Sequence, residues 1–123
     1  MALFQWGRFK SASGATLDWK IECDALTDED WKCIALASAP RLGHFNSVLG
    51  VPRGGERLAN ALRPHRVQNV NTCLIVDDVW TTGKSMLEFA ARIEANPNLW
   101  RGFVAFARGG LPRNVMCFAS ISA

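Results

Sequence analysis

Cys73-Leu74-Ile75-Val76-Asp77-Asp78-Val79-Trp80-Thr81-Thr82-Gly83-Lys84-Ser85 is the stretch that decides the fold. Its apolar start reads as a buried strand, which the two carboxylates close. Hydroxyls and a glycine follow, and then Met86, Leu87, Ala90 and Ile93 recur at helical spacing. The order is strand, loop, helix N-terminus. A helix N-terminus carries unpaired N–H groups and partial positive charge, so it attracts phosphate. Thr81, Thr82 and Ser85 add hydroxyl donors, Gly83 allows close backbone approach, and Lys84 completes the candidate phosphate turn. Asp77 and Asp78 would repel a phosphate; they suit hydroxyls or a hydrated Mg²⁺. A ligand with a phosphate and a vicinal diol, such as a ribose 5-phosphate, satisfies both halves. Gly83-Lys84-Ser85 also ends like a P-loop, but Asp78 stands where that loop needs its first glycine.

This stretch resembles the phosphoribosyl pyrophosphate (PRPP) motif of type I phosphoribosyltransferases: an apolar strand, two acids, then Thr-Thr-Gly and a small hydroxyl residue. The resemblance implies an α/β, Rossmann-like fold, with a short parallel sheet and helices on its faces. It implies transfer of phosphoribose to a base with release of pyrophosphate, a glycosyltransferase step of nucleotide metabolism. Asp77 and Asp78 would then be the catalytic acids and would hold Mg²⁺ through water.

Residues 3–24 carry a second resemblance. Gly7-Arg8-Phe9-Lys10-Ser11-Ala12-Ser13-Gly14, followed by Ile21-Glu22, is similar to the N-terminal hood of orotate phosphoribosyltransferases. It implies hood-like strands over 1–26 and an α/β core over 27–123, with Ser13 and Gly14 near a pyrimidine-like base. The family's Thr-Leu is Lys10-Ser11 here, and the basic residue often found before its Ser-Gly is Ala12.

Within the core, Thr27-Asp28-Glu29-Asp30 reads as a capped helix start and Pro40 as its stop. Trp31, Ile34, Ala35 and Ser38 would line the inner face of that helix. Phe45 to Val51 reads as a strand, running into Pro52-Arg53-Gly54-Gly55 and a helix that Pro64 ends. A Gly-Gly turn before a helix is a second anion cradle, with an arginine beside it. Type I phosphoribosyltransferases place their pyrophosphate loop here. Residues 102–107 and 115–121 read as two further strands, and Arg108 matches an arginine that faces the base in the orotate family. Parallel sheets place ligands beyond the carboxyl ends of their strands. The loops after Val51, Val76 and Ala107 should therefore meet on one edge.

The resemblance breaks in one place. Gly55 and Cys73 are only 18 positions apart. The family has another strand in this interval and a long flap whose lysine closes over PRPP. Here Pro64 to Asn71 is all that remains after the helix, and His65 and Arg66 are the candidates to stand in. Charge neutralisation and exclusion of water carry most of such a reaction. The sequence thus supports binding more strongly than turnover. Two readings stay open: a minimal phosphoribosyltransferase acting on a pyrimidine-like base, and a non-catalytic module that binds PRPP or a nucleoside monophosphate.

The rest of the chain sets bounds. Its 123 residues suffice for one domain with a real core. Net charge is +3, too mild to argue nucleic acid, but residues 41–123 are net +5 and residues 1–40 net −2, which suits an anionic ligand. Cys23, Cys33, Cys73 and Cys117 lack metal-ligand spacing and sit among apolar residues, so buried free thiols and a reducing cytoplasm are expected. No signal-peptide core or membrane-length apolar run occurs. The family commonly forms dimers, and five tryptophans in so small a chain suggest leftover apolar surface, so a homodimer is expected.

Overall fold

The computed structural model describes residues 1–10, 14 and 16–121. Two sheets are present among them. The first is an antiparallel hairpin, β1 (Phe4–Lys10) with β2 (Thr16–Ile21). The second is parallel, with β3 (Ser47–Gly50), β4 (Cys73–Trp80), β5 (Trp100–Arg108) and β6 (Val115–Ile121) side by side in chain order. Three helices accompany it: α1 (Asp28–Leu42), α2 (Glu56–Leu62) and α3 (Lys84–Arg92).

β4 is apolar on both faces because it is covered on both. Leu74 and Val76 join Trp31, Ile34 and Ala35 of α1 and Leu58, Ala59 and Leu62 of α2 in one core. Ile75 between them joins Met86 and Ala90 of α3, with Val104 and Val115, in the other. Ile21 of the hairpin, with Leu3 just before it and Leu26 after it, packs against the first core, where Cys23 is buried.

This layering has a consequence for handedness. The steps β3→β4 and β4→β5 go the same way across the sheet, yet α2 and α3 lie on opposite faces. The two crossovers therefore have opposite hands, although about 98% of such connections are right-handed. The step β3–α2–β4 is where the family resemblance leads one to expect a further strand. A strand beyond β3, reached from α2, would reverse the sense of that step.

Several boundaries differ from expectation. α1 does not stop at Pro40; it continues to Leu42. Its start is the expected one, a capping box in which Thr27 Oγ accepts from Asp30 N–H (3.1 Å) and an Asp30 carboxylate oxygen accepts from Thr27 N–H (2.8 Å). Leu42 is buried and the Arg41 guanidinium reaches the Cys117 carbonyl at 3.4 Å, so tertiary contacts hold the final turn. Proline frees the carbonyl four residues back, that of Leu36, on the exposed side of the helix. β3 is shorter than the expected 45–51. The acids do not close β4: Val79 and Trp80 go on pairing with Phe106 and Ala107.

Met86 anchors the first turn of α3 to the sheet and is fully buried. Met86→Ala should lower unfolding stability by about 2–5 kcal/mol. Urea unfolding followed by circular dichroism checks this; a loss below about 0.5 kcal/mol would mean that α3 is not held through this residue.

Candidate functional site

The carboxyl ends of β3, β4 and β5 open into a cavity of about 380 Å³. Its floor is Asp77 and Asp78, one wall is Thr81 to Met86, and Pro52 and Gly54 supply another side. Phe9, Lys10, Leu17, Lys20 and Ile21 of the hairpin, with Arg108, line the remainder, so the hairpin is a hood over the site.

The phosphate turn is built by packing. Gly83 precedes α3 in a left-handed conformation, φ 83°, which side chains rarely adopt. A Cβ there would also collide with the Trp80 indole. The first helical bond runs from Leu87 N–H to Gly83 C=O (3.0 Å). The N–H groups of Lys84, Ser85 and Met86 thus need other partners. Among the described residues, Lys84 N–H has only a long contact (3.4 Å) to Thr82 Oγ. Free donors at the positive end of a helix, beside three hydroxyls, are the groups that an anion site requires.

The acids differ from each other. Asp77 is 7% exposed, and Asp78 is half-buried. Asp78 N–H donates to Asp77 Oδ1 (2.8 Å), and Val79 N–H donates to Asp78 Oδ1 (2.7 Å). The β4–β5 register runs from Cys73↔Trp100 to Asp77↔Val104 and resumes at Val79↔Phe106, passing over Asp78. Burial, then the neighbouring Asp78 charge, pushes the Asp77 carboxyl up to about 8. Asp77 is buried because the two-sided cover of β4 extends to it. Among the described residues no third His, Cys, Asp or Glu joins them in a metal-binding group. A cation here would take most of its oxygens from water or ligand, which fits Mg²⁺.

The expected pyrophosphate turn is partly in place. Its Pro52–Arg53 peptide is cis. Pro52 and Gly54 line the cavity, and a Cβ on Gly54 would collide with the Asp78 carboxylate, so glycine lets this turn close on the acids. Gly55 is buried against the backbone of Val51 and Val76. Arg53 is exposed and is not among the lining residues. His65 and Arg66 are not among them either; Arg66 Nε donates to Arg63 C=O (2.9 Å). Residues 66–72 join a short 3₁₀ turn, Arg63–His65, to β4 without a regular element.

Ser13 lies outside the described residues. Gly14 is exposed and is not on the cavity lining. Arg108 lines the cavity but is occupied: its guanidinium lies 3.7 Å from the Trp19 ring centre and donates to Trp19 C=O (2.9 Å). This residue pins the hood to the sheet. Of the hood residues that do reach the site, Phe9, Lys10 and Ile21 belong to the stretch that resembles the orotate hood, while Leu17 and Lys20 were not singled out from sequence. Lys20 sits 3.2 Å from a Glu22 carboxylate and 4.7 Å from the Phe9 ring centre.

The thiols also depart from expectation. None is paired, but only Cys23 is buried. Cys33 is exposed because the helical period turns it outward beside Ile34, and Cys73 and Cys117 are half-buried. Burial, reinforced by the carboxylates of Asp78 and Glu22, pushes the Cys23 thiol up to about 12, so it stays protonated and serves packing.

No protein-family profile matches this sequence, and no curated protein is similar to it. Solved structures do match. The orotate phosphoribosyltransferase of Aeropyrum pernix superposes with a TM-score of 0.74 at 18% identity, over 97% of this chain and 88% of its own. The orotate phosphoribosyltransferase of Mycobacterium tuberculosis H37Rv gives 0.65 at 16% identity, over 96% and 89%. The xanthine-guanine-hypoxanthine phosphoribosyltransferase of Helicobacter pylori gives 0.57 at 14% identity, over 78% and 83%. The chain has the type I phosphoribosyltransferase fold.

A raised carboxyl pKa in the folded state means that folding favours the protonated acid. Asp77 should therefore stabilise the ligand-free protein fully below about pH 4, and that stabilisation should fade as pH rises through about 8. Thermal unfolding at about pH 5 and about pH 9 should show the fall, and Asp77→Asn should flatten it. An unchanged pH profile in Asp77→Asn would contradict the assignment.

Proposed function

We propose that this chain binds PRPP or a nucleoside monophosphate in the hooded cavity. The observation that carries the reading is the pairing of opposite chemistries within one cavity. Free N–H groups and hydroxyls at Thr81–Ser85 suit a 5′-phosphate, and Asp77 and Asp78 suit the ribose diol. Charge-assisted hydrogen bonds from a diol to carboxylates are among the stronger neutral-ligand contacts. Mg²⁺, held through water at the two acids, would neutralise pyrophosphate oxygens when bound. Pro52 and Gly54 border the space such a pyrophosphate would enter, and Lys10, Lys20 and Lys84 supply positive charge around it.

Transfer to a pyrimidine-like base is the reaction this fold suggests, and we place the chain among phosphoribosyltransferase-like proteins of nucleotide metabolism. The short 66–72 connector favours binding over fast turnover. It offers no flap to shut out water, and Arg53, His65 and Arg66 are not on the cavity lining. Losing one preorganised charge-stabilising donor typically lowers rate about 10²–10³-fold. Four cysteines without a disulfide fit a reducing cytoplasm, and among the described residues no helix is long and apolar enough to cross a membrane.

Calorimetric titration with PRPP and Mg²⁺ should show saturable binding at one site. Asp78→Asn should weaken it by about 1–3 kcal/mol, the range for a hydrogen bond to a charged group. Equal binding by the variant would refute the diol assignment. Pyrophosphate release with orotate, uracil and purine bases should stay below about 1 per second; turnover in the ordinary enzyme range, about 1–10³ per second, would show that the short connector suffices.

A further inference from the structure

A second cavity, of about 130 Å³, lies at the amino ends of β4, β5 and β6. It shares no lining residue with the hooded cavity at the carboxyl ends. Leu74 on its wall stands four strand positions before Asp78, about 13 Å away. The inner wall is apolar. Leu42, the last residue of α1, and Leu74 are each 1% exposed, and Met116 is half-buried. The outer wall is cationic, with Arg101 half-buried and Arg113 exposed, and no acid lines the cavity.

Neither arginine has a carboxylate partner among the described residues, whose ion pairs are Lys20–Glu22, Arg57–Asp28 and Lys84–Glu88. Arg101 spends Nη2 on His44 C=O (3.0 Å). That bond fixes its guanidinium beside Gly43, where α1 ends and the chain turns away with φ 69°. Its other nitrogens, and the whole Arg113 guanidinium, make no hydrogen bond among the described residues. The turn that carries Arg113 closes from Val115 N–H to Pro112 C=O (3.1 Å), and the N–H groups of Arg113 and Asn114 inside it have no backbone partner there. Unpaired donors of one sign thus surround the mouth of an apolar pocket.

We propose that this cavity is a second binding site, for a small monocarboxylate with a branched apolar body. Arginine pairs with carboxylate through charge-assisted hydrogen bonds, and Arg101 is held in place to make them. The apolar body would cover Leu42, Leu74 and Met116 and remove their wall from water. An apolar cavity of about 150 Å³ holds benzene, so this one has room for a body of about four or five carbons. A bare phosphate would leave the apolar wall wet, and a neutral apolar molecule would leave both cations without a partner. A free acid and the leucine-like C-terminal residue of a peptide share the required chemistry. The site is independent of the phosphoribose reading, because its residues and its end of the sheet are different.

Titrating isovalerate into the isotopically labelled full chain and following backbone amides by NMR tests this. Saturable shifts are expected at Gly102, Arg113, Asn114 and Met116, with a Kd of about 1 mM or tighter. Acetate, which lacks the body, and isovaleramide, which lacks the charge, should each bind at least about tenfold more weakly, the worth of one charge-assisted hydrogen bond or of a few buried methyl groups. Arg101→Gln should weaken isovalerate binding about tenfold. Because Arg101 also holds His44, circular dichroism reports the fold of that variant, and if the fold is lost the exposed Arg113→Gln decides, with a loss of about threefold or more. The dipeptide Gly-Leu, run beside isovalerate, separates the two sources: tighter binding of the dipeptide assigns a chain end, and tighter binding of isovalerate assigns a free acid. No saturable shift at the four amides, acetate or isovaleramide binding as tightly as isovalerate, or wild-type affinity in the folded arginine variants would overturn the proposal.

Discussion

Asp77 and Asp78 are adjacent carboxylates on a strand that is covered on both faces, and much of the site is shaped by the need to keep them there. A buried charge needs hydrogen bonds or neutralisation. Asp77 meets that need by accepting the Asp78 N–H and by a carboxyl pushed toward its protonated form. Asp78 accepts the Val79 N–H and is only half-buried, so it keeps an open side toward the cavity. Gly54 yields space to that carboxylate, and Gly83 yields space to the Trp80 ring two positions beyond the pair. The acids, the pyrophosphate turn and the phosphate turn are therefore one packed unit. The pair divides its work in the proposed reading: a ligand diol or a hydrated cation would pull Asp77 toward its charged form, and Asp78 is already accessible to both.

The short step from α2 to β4 shapes the rest. With nothing between α2 and β4 except residues 63–72, α2 must return directly to a neighbouring strand, and the two crossovers end up with opposite hands. Residues 63–72 contain no lysine, and His65 and Arg66 are not on the cavity lining. The hood takes over as the cover, held by the Arg108 stack on Trp19. Positive charge comes from the hairpin and from Lys84 instead of from a flap. A cavity covered this way can hold an anionic ligand without sealing it from water, which is a binding geometry before it is a catalytic one.

The fold and the floor of the site were legible because their signals are local. An apolar run, two acids and a Gly-Lys-Ser helix start need no distant partner to be read, and α1 showed its capping box in four consecutive residues. What escaped depends on contacts far apart in sequence. Pro40 looks like a stop until Leu42 and Arg41 find their partners across the fold. Val79 and Trp80 extend β4 only because Phe106 and Ala107 lie beside them. Arg108 carries nothing in its local sequence that announces Trp19, 89 positions away. Lys20 carries no local signal of the cavity that the folded hairpin brings it to. The five tryptophans suggested spare apolar surface, yet Trp31, Trp80 and Trp100 are buried and Trp19 is covered by Arg108; Trp6 alone, at 87%, stands clear.

The central claim is that a ribose 5-phosphate sits with its phosphate on the Gly83 turn and its diol on the acid pair. Titrating ribose 5-phosphate into isotopically labelled protein and following backbone amides by NMR tests it most directly. The account predicts saturable shifts at Thr82, Gly83, Lys84 and Ser85 together with Asp78 and Val79, and inorganic phosphate should move only the first group. Shifts confined to other surfaces, or no saturable shift at the Gly83 turn, would contradict it.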